Sequence, residues 1–347
     1  MVASSEPTVA DWLLPAMRTH YGLEPIGGLQ PLSGGGGRKH FPLGTNQQTP
    51  WGCICPPPGT PESLAYEHRL VRYLQRHLPQ APAPLSALDG STHLVAANRL
   101  YSLLPLMPGA IADREAMRLP AAGLLAEFHQ VGLAYPDRSP RPTVPAWQQW
   151  DWCEPNWPAI LNMLASQPAT EHVNAQRFWQ AGPDWGAAII ARRQQIVEER
   201  ANLQRWLGEL AASGRPLSFG PIHDDYHRKN LLVKDGAITA LLDWDGCHPD
   251  WLALDLAVAM WEFCLDKRAH SLRLSQAHHF LQTYLDAGGA VPRQEFDLLM
   301  PLLRFRRILE ILTVLAGILS GEAWDASHAE YLLHNLQTLE NLRSLQL

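Results

Sequence analysis

Residues 218–245 constrain this chain more than any other stretch, because a polar loop, a strand, a tight turn, a second strand and an acid follow one another there without interruption. The loop reads His223-Asp224-Asp225-Tyr226-His227-Arg228-Lys229-Asn230. Apolar runs at 231–233 and 238–242 predict two strands, and Lys234-Asp235-Gly236 supplies the turn that joins them as a hairpin. A hairpin brings its ends together, so Asp225 and Asn230, just before it, are expected near Asp243, just after it. Three oxygen-bearing side chains at one end of a ribbon suit a hard divalent cation, which takes carboxylate and amide oxygens and leaves positions for phosphate oxygens.

The rest of the chain divides into two kinds of sequence. Over the first hundred residues, strand-like runs at 29–32, 39–43, 51–55, 93–97 and 101–104 are separated by turn-forming clusters, which predicts a small antiparallel sheet. One clear helix accompanies it: Leu64, Glu67, Val71, Leu74 and Leu78 recur at steps of three and four. Glu67 therefore points inward, where a lone carboxylate is costly and wants a cation. Lys39 is the nearest by sequence, Arg38 serves if the strand phase shifts by one residue, and polar backbone or water is the remaining way to satisfy it. The glycine run at 34–37 costs backbone entropy and reads either as a flexible hairpin tip or as a loop that covers phosphate. From Pro108-Gly109 onward the 3.6-residue period predicts helices near 121–133, 157–166, 175–210 with a break at Gly182-Pro183, 254–265, 272–287, 294–319 and 326–345. The Pro-rich stretch 138–158, with Trp147, Trp150, Trp152 and Trp157, predicts a helical insertion.

Composition narrows the function classes. With 46% hydrophobic and 18% charged residues the chain is globular, which excludes disordered, collagenous and coiled-coil chains. Its 28 Lys and Arg against 34 Asp and Glu give a net charge of −6, which argues against a sequence-independent nucleic-acid binder and permits a cationic substrate. The five cysteines are odd in number and dispersed, which points to a reducing compartment, and Cys53-Ile-Cys55 reads as buried strand cysteines, not a zinc site. No basic segment followed by an apolar one opens the chain, and Arg304, Arg306, Arg307 and Glu310 interrupt the apolar run at 298–319. A cytoplasmic protein with neither a membrane nor a nucleic-acid partner is expected.

His223-x-Asp225-x4-Asn230 followed by Asp243-Trp244 resembles the catalytic loop and metal aspartate of protein-kinase-like phosphotransferases. In detail it is similar to their small-molecule branch: aminoglycoside phosphotransferases, choline kinases and homoserine-kinase-type enzymes. These read His-Gly-Asp-x4-Asn, a strand hairpin, Ile-Asp-Trp, then Asp-Leu-Ala, and this chain has Asp225-x4-Asn230, Leu242-Asp243-Trp244 and Asp255-Leu256-Ala257 in that order. Pro108-Gly109 and Leu125-Ala-Glu-Phe-His129 add to the resemblance. It implies an α+β, protein-kinase-like two-lobed fold: a small N-terminal antiparallel sheet lobe with one helix over 1–106, a hinge near 104–107, and a larger, mainly helical C-terminal lobe over 107–347. It implies transfer of the γ-phosphate of ATP, with Mg2+, to a hydroxyl of a small amine-bearing metabolite or antibiotic. Asp225 would then orient or deprotonate that hydroxyl, Asn230 and Asp243 would hold magnesium, and Gly34, Gly35 and Gly36 would cover the phosphates. Glu67 would partner the phosphate-holding cation, His223 and Asp255 would be scaffold, and Asp245 would coordinate, face the acceptor or sit in solvent.

Two departures matter. Asp224 stands where the family usually has glycine, adding a carboxylate beside the loop. The strand at 51–55 lacks the cation the family carries there, and Cys55 occupies the slot, with no Lys or Arg between Lys39 and Arg69. Some protein kinases supply that lysine from the preceding strand, so Lys39 is the expected substitute. Without one, the chain would be a nucleotide-binding or scaffold protein that has lost transfer. A metal-dependent hydrolase built on His223, Asp224, Asp225 and His227 leaves Asn230, Asp243 and Asp255 unexplained. The tryptophans from 147 to 157, with Asp151 and Glu154, either border an acceptor site suited to an amine or pack helices.

Overall fold

The computed structural model describes residues 14–26, 39–45, 51–55, 60–96, 99–142, 157–165, 183–320, 326–345 and 347, with the strands before residue 56 described in backbone alone. The chain forms two compact units, each assembled from separate stretches: 1–120, 134–143 and 228–248 in the first, and 121–133, 144–227 and 249–347 in the second.

The first unit contains a five-stranded sheet in the order β1-β2-β3-β5-β4. Its strands are β1 (Pro25–Ile26), β2 (Lys39–Thr45), β3 (Trp51–Cys55), β4 (Leu94–Ala96) and β5 (Arg99–Pro105). All pairs are antiparallel, and the register sets Lys39 opposite Cys55. The run at 29–32 and the glycines at 34–37 lie outside the described residues. Helix α1 (Pro61–Gln75) begins where Thr60 turns extended and its hydroxyl accepts the Ser63 N–H at 3.2 Å, with Pro61 at the position that needs no N–H partner. Leu64, Glu67, Val71, Leu74 and Leu78 are all buried, so the helical period holds and Glu67 does point inward.

A second sheet of the first unit begins with β6 (Ala110–Ile111), while β7 (Phe219–Ile222) belongs to the second unit and leads into the loop at 223–230. Strands β8 (Leu231–Lys234) and β9 (Ala237–Leu241) follow that loop and complete the three-stranded sheet in the order β6-β8-β9. Asp235 and Gly236 both take positive φ, 51° and 78°, as a tight hairpin turn requires. Beyond the strands, the Leu242 N–H donates to the Asn230 carbonyl at 2.7 Å and closes the ribbon end.

Helices dominate the second unit. Helix α2 (Arg114–Leu133) crosses the boundary between units at Pro120 and starts earlier than the expected 121, because the Asp113 carboxylate caps the Ala116 N–H at 2.9 Å. The others are α3 (Trp157–Ala165), α4 (Pro183–Ala191), α5 (Arg193–Ala212), α6 (Leu252–Cys264), α7 (Leu274–Asp286), α8 (Leu299–Ser320) and α9 (Ala326–Leu342). Ile160, Ile189, Ile196, Leu312 and Leu336, one each from α3, α4, α5, α8 and α9, belong to one buried cluster. The charges that interrupt α8 are paired: Arg304 meets the buried Glu199 at 2.6 Å, and Arg343 meets it at 2.8 Å. Among the described residues no helix is long and apolar enough to cross a membrane.

Gly109 carries a conformational demand that its neighbours make testable. Its φ is +131°, and a Cβ there would lie 2.8 Å from the Val233 carbonyl oxygen and 3.0 Å from Thr239 Oγ1. Gly109→Ala is expected to destabilise the chain by about 1–3 kcal/mol, read as a lower urea midpoint at unchanged slope. An unchanged midpoint would mean that this crossing relaxes freely.

Candidate functional site

In the second unit the site is organised by a carboxylate wholly out of water. Asp255, in the first turn of α6, accepts the His223 N–H at 2.9 Å on one oxygen and the Asp224 N–H at 3.0 Å on the other. His129 Nε2 also meets it at 3.2 Å, while His129 Nδ1 lies 2.7 Å from the Tyr284 hydroxyl. That hydroxyl also accepts the Val291 N–H at 3.1 Å, and the Asp255 carboxylate, which can only accept, takes the Nε2–H of His129. Burial pushes the Asp255 carboxyl up, but the hydrogen bond and electrostatic pull of His129, with His223 adding, hold it below the ordinary aspartate value.

The loop residues alternate around this anchor. His223 and Tyr226 are buried, with their rings edge to face at 6.1 Å and the Tyr226 hydroxyl donating to the Ala121 carbonyl at 2.8 Å. Asp224 is buried too, its carboxylate on Arg306 at 2.8 Å. Asp225 keeps a 38% exposed side chain, with His227 Nε2 3.4 Å from its Oδ2, and its N–H donates to His223 Nδ1 at 3.3 Å. The hydrolase-like set of His223, Asp224, Asp225 and His227 does not assemble: among the described residues no group of three or more His, Cys, Asp and Glu could hold a metal.

In the first unit, Asn230 ends a 3-10 turn (Arg228–Asn230) and is buried; its backbone bond to Leu242 brings Asp243 to the same ribbon end. Asp243 takes the left-handed conformation, φ 66° and ψ 64°, a strained state that concentrates at functional loops. The loop beyond it is held by Arg141, a residue that sequence reasoning does not single out. Arg141 is buried; its guanidinium donates to the carbonyls of Asp245 and Cys247 (2.9 Å for the latter) and to Ser63 Oγ at 2.8 Å, and lies 3.6 Å from Glu67. Sequence proximity points to β2 for the cation of Glu67, and the only cue to Arg141 is its place in a Pro-rich stretch where a buried Arg is out of character.

Gly34, Gly35 and Gly36 lie outside the described residues, and Lys39 is described only in its backbone position opposite Cys55. Trp147, Trp150, Trp152, Asp151 and Glu154 are also outside. Trp157 is described, and the Arg200 guanidinium sits 4.3 Å from its ring centroid, so this tryptophan packs against the chain's own cation.

Residues 28–296 match the family described as the phosphotransferase enzyme family. The chain belongs to that family. Curated relatives of this phosphotransferase-family chain include the homoserine kinase of Cupriavidus metallidurans, 24% identical over 230 residues that cover 64% of this chain and 61% of that protein. Another is the homoserine kinase of Ralstonia nicotianae, 23% identical over 242 residues, 66% of this chain and 63% of that protein. The chain thus spans about three fifths of the length of the curated relatives it matches. Among solved structures it resembles a spectinomycin phosphotransferase in complex with ADP and spectinomycin, with a TM-score of 0.66 at 14% identity, covering 98% of this chain and 100% of that one. It also resembles an amicoumacin kinase in complex with AMP-PNP and Ca2+, with a TM-score of 0.63 at 15% identity, covering 90% and 87%. The fold is therefore that of the protein-kinase-like phosphotransferases, the α+β class expected from the sequence.

The depressed pKa of Asp255 makes its contribution to stability fully present above the ordinary aspartate value and lost as pH falls through the lower, folded value. Asp255→Asn is expected to cost about 2–3 kcal/mol near neutral pH, with the gap to wild type closing as urea midpoints are followed into acid. A gap independent of pH would remove the ionised carboxylate from the loop's support.

Proposed function

We propose that this chain is an ATP-dependent small-molecule kinase that moves the γ-phosphate of ATP to a hydroxyl of a small, amine-bearing metabolite or antibiotic. The observation that carries this reading is the Asp225 loop, in which His223, Asp224 and Tyr226 are buried and the carboxylate left half-exposed is Asp225. Asp225 accepts a hydrogen bond from the acceptor hydroxyl and aims its oxygen at the γ-phosphorus. As that oxygen bonds to phosphorus, the bond to the β–γ bridging oxygen breaks, ADP leaves, and the hydroxyl proton passes to the Asp225 carboxylate.

The donor chemistry of the ribbon end fits magnesium: a carboxylate on Asp243 and an amide oxygen on Asn230, both hard oxygen ligands, on neighbouring backbone. A divalent cation held there neutralises charge on the phosphate oxygens. Gly34, Gly35 and Gly36 cover the phosphates, and Lys39, opposite the Cys55 slot, supplies the missing cation, with Glu67 its partner alongside Arg141, whose guanidinium lies 3.6 Å from that carboxylate. The functional lobes are 1–106 and 107–347, with the hinge at 104–107. The acceptor class is supported by relatives named homoserine kinase and by structural neighbours named for antibiotics. Buried cysteines at Cys247 and Cys264, neither of them in a disulfide, support a cytoplasmic setting.

ADP release should be followed across a panel of homoserine, choline, amino sugars, aminoglycosides and spectinomycin, where one class is expected to stimulate it. Asp225→Asn is expected to lower kcat by about 10²–10⁴-fold while ATP affinity changes little; turnover that persists in this variant would remove Asp225 from the mechanism. Lys39→Ala is expected to weaken ATP binding or slow transfer by about tenfold or more, from roughly 1.5–3 kcal/mol of charge-assisted hydrogen bonding, and Arg38→Ala much less. Nucleotide binding without turnover on any acceptor would instead identify a chain that kept the fold and lost transfer.

A further inference from the structure

We propose that Arg306 is a positioning residue for Asp225, acting through the peptide plane that joins Asp224 to Asp225. The inference rests on the role given to Asp225 above. Asp224 has φ +65°, a conformation that glycine adopts freely and an L-residue adopts only against steric cost. Its backbone N–H is held by Asp255 at 3.0 Å. Arg306, from α8, holds the rest: Nη1 donates to both carboxylate oxygens, at 2.8 and 2.9 Å, and Nη2 donates to the Asp224 backbone carbonyl at 3.1 Å.

That carbonyl and the Asp225 N–H belong to one planar peptide unit. Its oxygen is fixed by Arg306 and its nitrogen by His223 Nδ1 at 3.3 Å, so the plane cannot rotate. With that plane held, only rotation about the Asp225 N–Cα bond remains to set the direction in which its side chain leaves the backbone. Arg306 thus reaches the half-exposed carboxylate without touching it.

The guanidinium is itself secured. Arg306 Nε donates to Glu310 at 2.9 Å, and Glu310 also takes Arg307 at 3.0 Å and the Asn335 amide at 3.1 Å. Burial would favour the neutral form of Arg306, but Asp224 first and Glu310 second more than offset it and keep it charged. Two arginines and two carboxylates make a neutral buried set. Packing alone does not account for it, because apolar side chains of similar volume commonly stabilise as well as a buried ion pair, whereas none of them can hold a backbone carbonyl.

The test uses Arg306→Met, Asp224→Gly and the double variant, each measured for urea stability, ATP affinity and steady-state kinetics on the acceptor found in the panel. Asp224→Gly is expected to keep kcat within a few fold, since glycine takes the same φ and Arg306 still holds the carbonyl. Arg306→Met is expected to lower kcat about tenfold to a hundredfold with ATP affinity unchanged. In the double variant, stability recovers because the stranded carboxylate is gone, yet kcat stays depressed because the carbonyl remains unheld. Recovery of kcat together with stability would overturn the proposal and leave Arg306 a structural residue, as would wild-type kcat in folded Arg306→Met. If Arg306→Met does not fold, Asp224→Gly and the double variant decide the matter between them: a lower kcat in the double variant supports the proposal, and equal kcat overturns it. Failure of the underlying reading is distinct: wild type itself would then transfer no phosphate, or Asp225→Asn would retain turnover.

Discussion

A carboxylate taken wholly out of water must have its lone pairs filled, and Asp255 fills them with the backbone N–H groups of two consecutive loop residues. This single requirement shapes the loop. The chain then turns at the second of those residues, where Asp224 sits at φ +65°. With His223 and Tyr226 drawn beneath the loop and Asp224 turned onto Arg306, the remaining acid, Asp225, is the one left half-exposed. The chain from Asp255 through His129 to Tyr284 and Val291 extends the anchor across three helices and a turn, so the loop is braced from several elements of its unit.

The first unit solves the complementary problem with the opposite charge. There the loop after Asp243 presents carbonyls instead of amides, and a buried cation, Arg141, fills its donors with the carbonyls of Asp245 and Cys247 while reaching Ser63 and Glu67 on α1. An anion collecting N–H groups and a cation serving carbonyls thus hold the two loops that carry the candidate chemistry. Both devices fix backbone more than side chains, which matters for phosphoryl transfer, where most of the protein's contribution is positioning and fixed electrostatics. Left-handed backbone at Asp224 and Asp243 is the strain these anchors sustain.

Much of this is legible in the sequence because it is local. The hairpin at 231–241 is set by its Asp-Gly turn, the inward face of α1 by a period that includes Glu67, and the place of Asp255 by its position at the start of an apolar helix. The start of α2 departs from the expected 121 because Pro120 does not stop the helix, and the Asp113 cap begins it upstream. Arg141 and Arg306 cannot be found from local pattern. Each meets its partners across large sequence separations, and no periodicity or motif encodes which of many arginines will be buried against a given carbonyl. The presence of Asp224 in place of glycine is visible in the sequence, but its consequence, a carboxylate that recruits Arg306, requires the fold.

The proposed transfer requires that Asn230 and Asp243 make nucleotide binding depend on a divalent cation. Titration calorimetry of ATP into wild type and Asp243→Ala, each with and without magnesium, measures this directly. Wild type is predicted to bind ATP about tenfold or more tightly with magnesium, and Asp243→Ala to lose that difference. Equal ATP affinity of wild type in both conditions would contradict the assignment of the ribbon end as a metal site, and with it the proposed kinase activity.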